Sequence, residues 1–146
     1  VFFYVSYVPM WFKKSRTKIK IMILGIGTDL IEVERVAEKM EKKSGFKELV
    51  FSPAEIIYCE SKTNKYEHYA ARFAAKEAFL KAIGTGWRSG TAFHEIEVYN
   101  DGEGKPELRF SGTTADTVAE MRIGNIFVSL SHLKTMACAM VIIESR

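Results

Sequence analysis

Cysteine is scarce: the 146-residue chain has two, Cys59 and Cys138, far apart in sequence. Two thiols are too few for a disulfide framework or a four-ligand zinc site. Their rarity fits a reducing compartment, so a cytoplasmic location is expected. No run of 18 or more apolar residues occurs, which excludes a bilayer-spanning helix. Acidic residues are missing from the first 21 positions, which hold Lys13, Lys14, Arg16, Lys18 and Lys20. Those five cations exceed the formal net charge of +3, so residues 22–146 carry a net −2. The basicity belongs to the N-terminal segment, and a nucleic-acid-binding footprint spread over the whole protein is not supported. Internal repeats and linkers are absent after residue 22. What remains is a composition, 47% hydrophobic and 27% charged, typical of one ordinary globular domain.

The N-terminal segment lacks the order of a signal peptide. Its apolar aromatic block, VFFYVSYVPMWF, precedes its basic stretch, and no small-residue cleavage site follows. Residues 1–21 are therefore expected to be an extension ahead of the domain, a start-site or non-native addition. An interfacial membrane anchor built from aromatics beside lysines is the less favoured reading. The domain is expected to span residues 22–146.

Ile21 to Gly27 reads as an apolar strand ending in the turn Gly25-Ile26-Gly27. Thr28 and Asp29 stand where a helix N-cap belongs, and Leu30, Val33, Val36, Ala37 and Met40 repeat at helical spacing, predicting a helix over 30–43. Ser52-Pro53-Ala54-Glu55 is a second helix start, with a cap, a proline at the first helical position and a capping-box glutamate. A third helix is predicted over 65–83, closed by Gly84. The second half is more extended: strands over 93–99 and 107–110, a short helix over 113–121, then strands over 126–131 and 136–144. The expected fold class is α+β, with helices packed on a small, mainly antiparallel sheet.

Three blocks carry candidate chemistry. In Gly25-Ile26-Gly27-Thr28-Asp29, glycines permit close approach of a ligand, and the carboxylate suits a hard cation such as Mg²⁺; the competing reading is that Asp29 caps the next helix. The lysine and Ser/Thr of a P-loop are missing. In residues 72–86, Arg72 and Lys76 are one turn apart, as are Glu77 and Lys81, and Gly84-Thr85-Gly86 follows. Such a set can hold a metal–diphosphate group, or the Glu77–Lys81 pair can simply support the helix, at about 0.2–0.5 kcal/mol. In Val128-Ser129-Leu130-Ser131-His132, the serines share one strand face and His132 falls in the turn, able to donate to a phosphate. No nucleophile elbow or orienting acid accompanies this Ser-His step. His68 and His94 read as ordinary surface or packing residues.

In this order the three blocks, GIGTDLIEVERV at 25–36, ARFAAKEAFLKAIGTG at 71–86 and VSLSHLKTMACAMVI at 128–142, resemble the holo-[acyl-carrier-protein] synthase family of phosphopantetheinyl transferases. Ser52-Pro53-Ala54-Glu55 and Gly104-Lys105-Pro106 agree as well. The resemblance implies Mg²⁺-dependent transfer of 4′-phosphopantetheine from coenzyme A to a serine of apo-acyl carrier protein, in support of fatty acid biosynthesis. It places metal carboxylates at Asp29 and Glu77, and coenzyme A contacts at Arg72, Lys81, Gly84, Thr85, Ser131 and His132. Lys81 would neutralise or protonate the departing phosphate. Glu77, through a bound water, is the first choice for taking the serine proton, and Glu55 the second. The resemblance further implies a homotrimer with active sites between subunits. Docking of the acidic carrier falls to Arg35, with Lys39, Lys42 and Lys43 as further candidates. Two other readings stand beside it: a Mg²⁺-dependent hydrolase using the same residues with water as acceptor, and a binding module driven by residues 1–21.

Overall fold

The computed structural model describes residues 21–42, 44–86 and 90–146. The reading of the basic N-terminal segment, Ile21 apart, and the candidate Lys43, lie outside these residues. In chain order the elements are β1 (Ile23–Glu32), α1 (Val33–Glu41), α2 (Phe46–Val50), α3 (Pro53–Glu60), α4 (Lys65–Ala82), a 3-10 turn at Phe93–Glu95, β2 (Ile96–Asn100), β3 (Pro106–Phe110), α5 (Gly112–Glu120), β4 (Ile123–His132) and β5 (Met136–Ser145). A three-stranded sheet has the order β1-β5-β4, and β2 and β3 form a separate hairpin; every pairing is antiparallel. The α+β expectation holds.

Helix α4 lies on one face of the larger sheet, and small residues set that approach. Ala70, Ala71, Ala74, Ala75, Ala78 and Ala82 are all buried on it, as are Ala137 and Ala139 of β5, and its backbone at Ala78 and Ala82 meets the glycines of β1. A Cβ at Gly25 would overlap the Ala82 carbonyl oxygen, and one at Gly27 would overlap that of Ala78. These glycines let strand and helix backbones touch, and do not form a ligand-cradling turn.

The first strand runs five residues beyond the expected turn. Residues Gly25 to Glu32 pair with β5 from Ile143 to Met136, so α1 starts at Val33 instead of 30. Asp29 is a strand residue opposite Ala139, and the residue at the helix cap, Glu32, makes no side-chain capping bond. The apolar spacing around Leu30 fits either element, and the full-length ladder decides for strand. Likewise β4 extends to His132, which pairs with Ala137 instead of lying in the turn. Helix α2 and the 3-10 turn are additions to the expected order.

The Ser52 capping box forms as predicted: Ser52 Oγ accepts from Glu55 N at 3.2 Å and Glu55 Oε2 accepts from Ser52 N at 2.8 Å. Glu55 does more. Fully buried, it accepts from Val98 N at 3.0 Å and pairs with the equally buried Lys76 at 2.6 Å. Lys76 also donates to the carbonyls of Val50 and Phe93 at 2.7 and 2.9 Å, so its three donors are used. Burial pulls the Lys76 ammonium below the ordinary lysine value, with Glu55 opposing. One side chain thus ties α4 to α2, α3 and the 3-10 turn, immediately before Glu77.

Candidate active site

The two-residue period of β1 that turns Gly25 and Gly27 toward α4 brings Asp29 to the same face. There it meets Glu77 and Lys81, successive turns of α4. Lys81 Nζ donates to Asp29 Oδ1 at 2.8 Å and to the Thr28 carbonyl at 3.0 Å. The lysine therefore bridges to the strand, and is not engaged in the helix-supporting pair with Glu77 that the i,i+4 spacing allows. Burial, with the Asp29 charge behind it, holds the Glu77 carboxyl above its ordinary value, against the pull of Lys81 and Lys39. Two coupled carboxylates beside a lysine are a fitting donor set for Mg²⁺, which takes one or two carboxylates and completes its shell with water and substrate phosphate.

Glu77 opens onto an apolar cavity of about 290 Å³ that is lined by Lys39, Phe46, Leu49, Val50, Phe73 and Phe93 as well. Lys39 crosses from α1 to this cavity, its Nζ 5.3 Å from the Phe46 ring centroid and 5.9 Å from that of Phe73. Arg35 is exposed on the same helix. Sequence spacing offers no sign that Lys39 turns inward, because its neighbours on α1 alternate in charge.

Arg72 lies five residues before Glu77, roughly 140° around the helix, and lines a different cavity of about 210 Å³ with Tyr58, His68, Asn100 and His132. It is 3% exposed and donates to Asn100 Oδ1 at 3.2 Å. His132 Nδ1 sits 3.1 Å from Glu67 Oε2. A carboxylate on Nδ1 leaves Nε2 for a ligand. Ser131 alternates to the open face of the sheet, away from α4, and lines with His132 a cavity of about 150 Å³ at the strand end. Gly84, at φ +73°, and Thr85 follow the end of α4 as predicted. The expected site residues thus fall into two groups, Asp29–Glu77–Lys81 and Arg72–His132, with Gly84, Thr85 and Ser131 at element ends. Glu55 leaves the set of proton acceptors, since it is fully buried and both its oxygens are taken. Among the described residues, no helix is long and apolar enough to cross a membrane.

The family model for the 4′-phosphopantetheinyl transferase superfamily matches residues 25–139. A holo-[acyl-carrier-protein] synthase of Cytophaga hutchinsonii is 48% identical over 124 residues, covering 83% of this chain and 97% of that relative. Among solved structures, the holo-[acyl-carrier-protein] synthase of Neisseria meningitidis superposes with a TM-score of 0.79 at 32% identity, covering 85% of this chain and all of that one. The synthase of Bacillus anthracis, solved in complex with CoA (3′,5′-ADP), gives 0.71 at 37% identity, over 86% of this chain and 99% of that one.

Proposed function

Because the chain belongs to the holo-[acyl-carrier-protein] synthases of the 4′-phosphopantetheinyl transferase superfamily, we propose that it transfers 4′-phosphopantetheine from coenzyme A to a serine of apo-acyl carrier protein, in support of fatty acid biosynthesis in the cytoplasm. The observation that carries this reading is the meeting of Asp29, Glu77 and Lys81 across β1 and α4. In the reaction the serine oxygen bonds to the phosphorus bearing pantetheine, the phosphoanhydride bond breaks, and adenosine 3′,5′-bisphosphate leaves. Mg²⁺ held by Asp29 and Glu77 would neutralise and align the diphosphate. Lys81 supplies positive charge to the departing phosphate. Glu77, acting through a bound water, takes the serine proton.

The coenzyme's phosphates fall to Arg72, Lys81, Gly84, Thr85, Ser131 and His132. The acidic carrier docks on Arg35 of α1, the helix whose Lys39 lines the Glu77 cavity. We assign the assembly as a homotrimer with sites between subunits. Ser131, on the sheet face opposite α4, reaches a coenzyme most simply if that face belongs to a subunit boundary. Residues 1–21 stand outside the catalytic unit.

The test is to incubate the protein with coenzyme A, Mg²⁺ and apo-carrier and to weigh the carrier. A gain of about 340 Da, abolished by EDTA and retained after removal of residues 1–21, is expected. Consumption of coenzyme A with no gain on the carrier would establish the hydrolase instead. Loss of transfer on removing residues 1–21 would establish a working role for that segment.

A further inference from the structure

Several cationic and imidazole side chains converge on the N-terminal half of α4. His68 and Arg72, one turn apart, line the 210 Å³ cavity together with His132. The two imidazole rings meet edge to face with centroids 5.3 Å apart. Arg72 and Lys62 both lie against the Tyr58 ring, 4.0 and 4.5 Å from its centroid, and His68 meets that ring edge-on at 5.7 Å. Glu67, a carboxylate beside this cluster, is engaged by His132 Nδ1. Arg72 Nε is buried with no hydrogen-bond partner. A buried donor left unmade is costly, and a guanidinium among imidazoles is best answered by a phosphate oxygen.

We infer that His68 is a further coenzyme-binding residue, pairing with His132 to grip the 3′-phosphate monoester of coenzyme A and taking up a proton as that phosphate enters. The inference rests on the transferase reading. That reading gives the diphosphate to the Asp29–Glu77–Lys81 group, which leaves the monoester as the phosphate for this cavity. Before binding, burial and then the charges of His132, Arg72 and Lys62 hold the His68 imidazole below its ordinary value, with Glu67 pulling the other way. His68 is then neutral near neutral pH. A phosphate dianion between the rings reverses that balance, and the proton comes from solvent. Binding that takes up a proton weakens as pH rises.

Calorimetric titration of the full-length protein with coenzyme A and Mg²⁺ tests this, in buffers of different ionisation heat between about pH 6.5 and 8.5. Net uptake approaching one proton is expected near neutral pH, with Kd rising toward tenfold per pH unit. His68→Gln and the ring-preserving His68→Phe should both bind coenzyme A with most of that uptake gone. Coenzyme lacking the 3′-phosphate should show no uptake that depends on His68. Equal uptake in the wild type and both variants would overturn the inference, as would His68-dependent uptake of the same size with dephospho-coenzyme A. Failure of the wild type to bind coenzyme A at all would remove the transferase reading itself, and this inference with it.

Discussion

Asp29 and Glu77 are carboxylates with unequal surroundings. Asp29 is held by the Lys81 ammonium, while Glu77 is half-buried beside phenylalanines and carries a raised affinity for its proton. If the two jointly hold Mg²⁺, replacing either by its amide removes a ligand charge with almost no change of shape. Glu77→Gln and Asp29→Asn should each lose at least about a hundredfold in kcat/KM while keeping wild-type unfolding midpoints. Turnover near normal at saturating Mg²⁺ would take that residue out of the metal site. The buried pair behind Glu77 should behave differently. Lys76→Met strands the Glu55 carboxylate in the core, and urea unfolding should show a loss of about 3–5 kcal/mol. A smaller loss would mean that water reaches Glu55 in the variant.

At the scale of elements, the contact between β1 and α4 holds the site together, because it puts Asp29 two residues from the glycine that touches the helix. A methyl group at Gly27 meets the helix backbone itself, with Ala82 N at 2.6 Å as well as the Ala78 carbonyl. Backbone cannot rotate aside as a side chain does, so Gly27→Ala should cost about 3 kcal/mol in denaturant unfolding. It should also weaken activity by displacing Asp29. An unchanged stability would mean that β1 can lift from α4 freely. This contact also shows what the sequence can and cannot disclose. Capping chemistry is local, and so Ser52-Pro53-Ala54-Glu55 announces α3 and its reciprocal bonds to within a residue. The strand identity of Asp29 is not local: it depends on β5, more than a hundred residues later, and the string LIEVERV suits helix and strand alike. Lys76 reads as a surface cation on an amphipathic helix, and only the partners gathered from α2, α3 and the 3-10 turn make its burial tolerable. Asp29 and Glu77, which the fold brings together, were singled out by the family's motifs, whereas the inward turn of Lys39 and the contact of His68 with His132 needed the fold.

For the whole molecule, the described residues cover the sheet on one side only. Helix α4 occupies one face, and across the other Ile26, Ile142 and Phe127 stand in one row of paired residues, Thr28, Met140 and Ser129 in the next, and Leu30, Cys138 and Ser131 in a third. Ile26 and Leu30 are 58% and 65% exposed in the isolated chain, and Phe127 and Met140 are open to solvent beside them. A contiguous apolar sheet face of this kind marks an interaction surface. A trimer whose subunits meet along it would bury these rows and bring Ser131 of one subunit toward the phosphate-binding residues of another. If the proposed homotrimer forms along this face, sedimentation of the wild type should give three times the mass of one chain. Ile26→Glu places three carboxylates where the apolar rows meet, and should yield monomers that keep the fold of each chain. Since Asp29, Glu77 and Lys81 lie on the covered face, their geometry survives in such a monomer. Transfer to the carrier should nonetheless fall at least about a hundredfold, because each site then lacks its neighbour's contribution. A monomeric variant with full activity would mean that one chain completes the site alone, and that the open face serves assembly without serving catalysis.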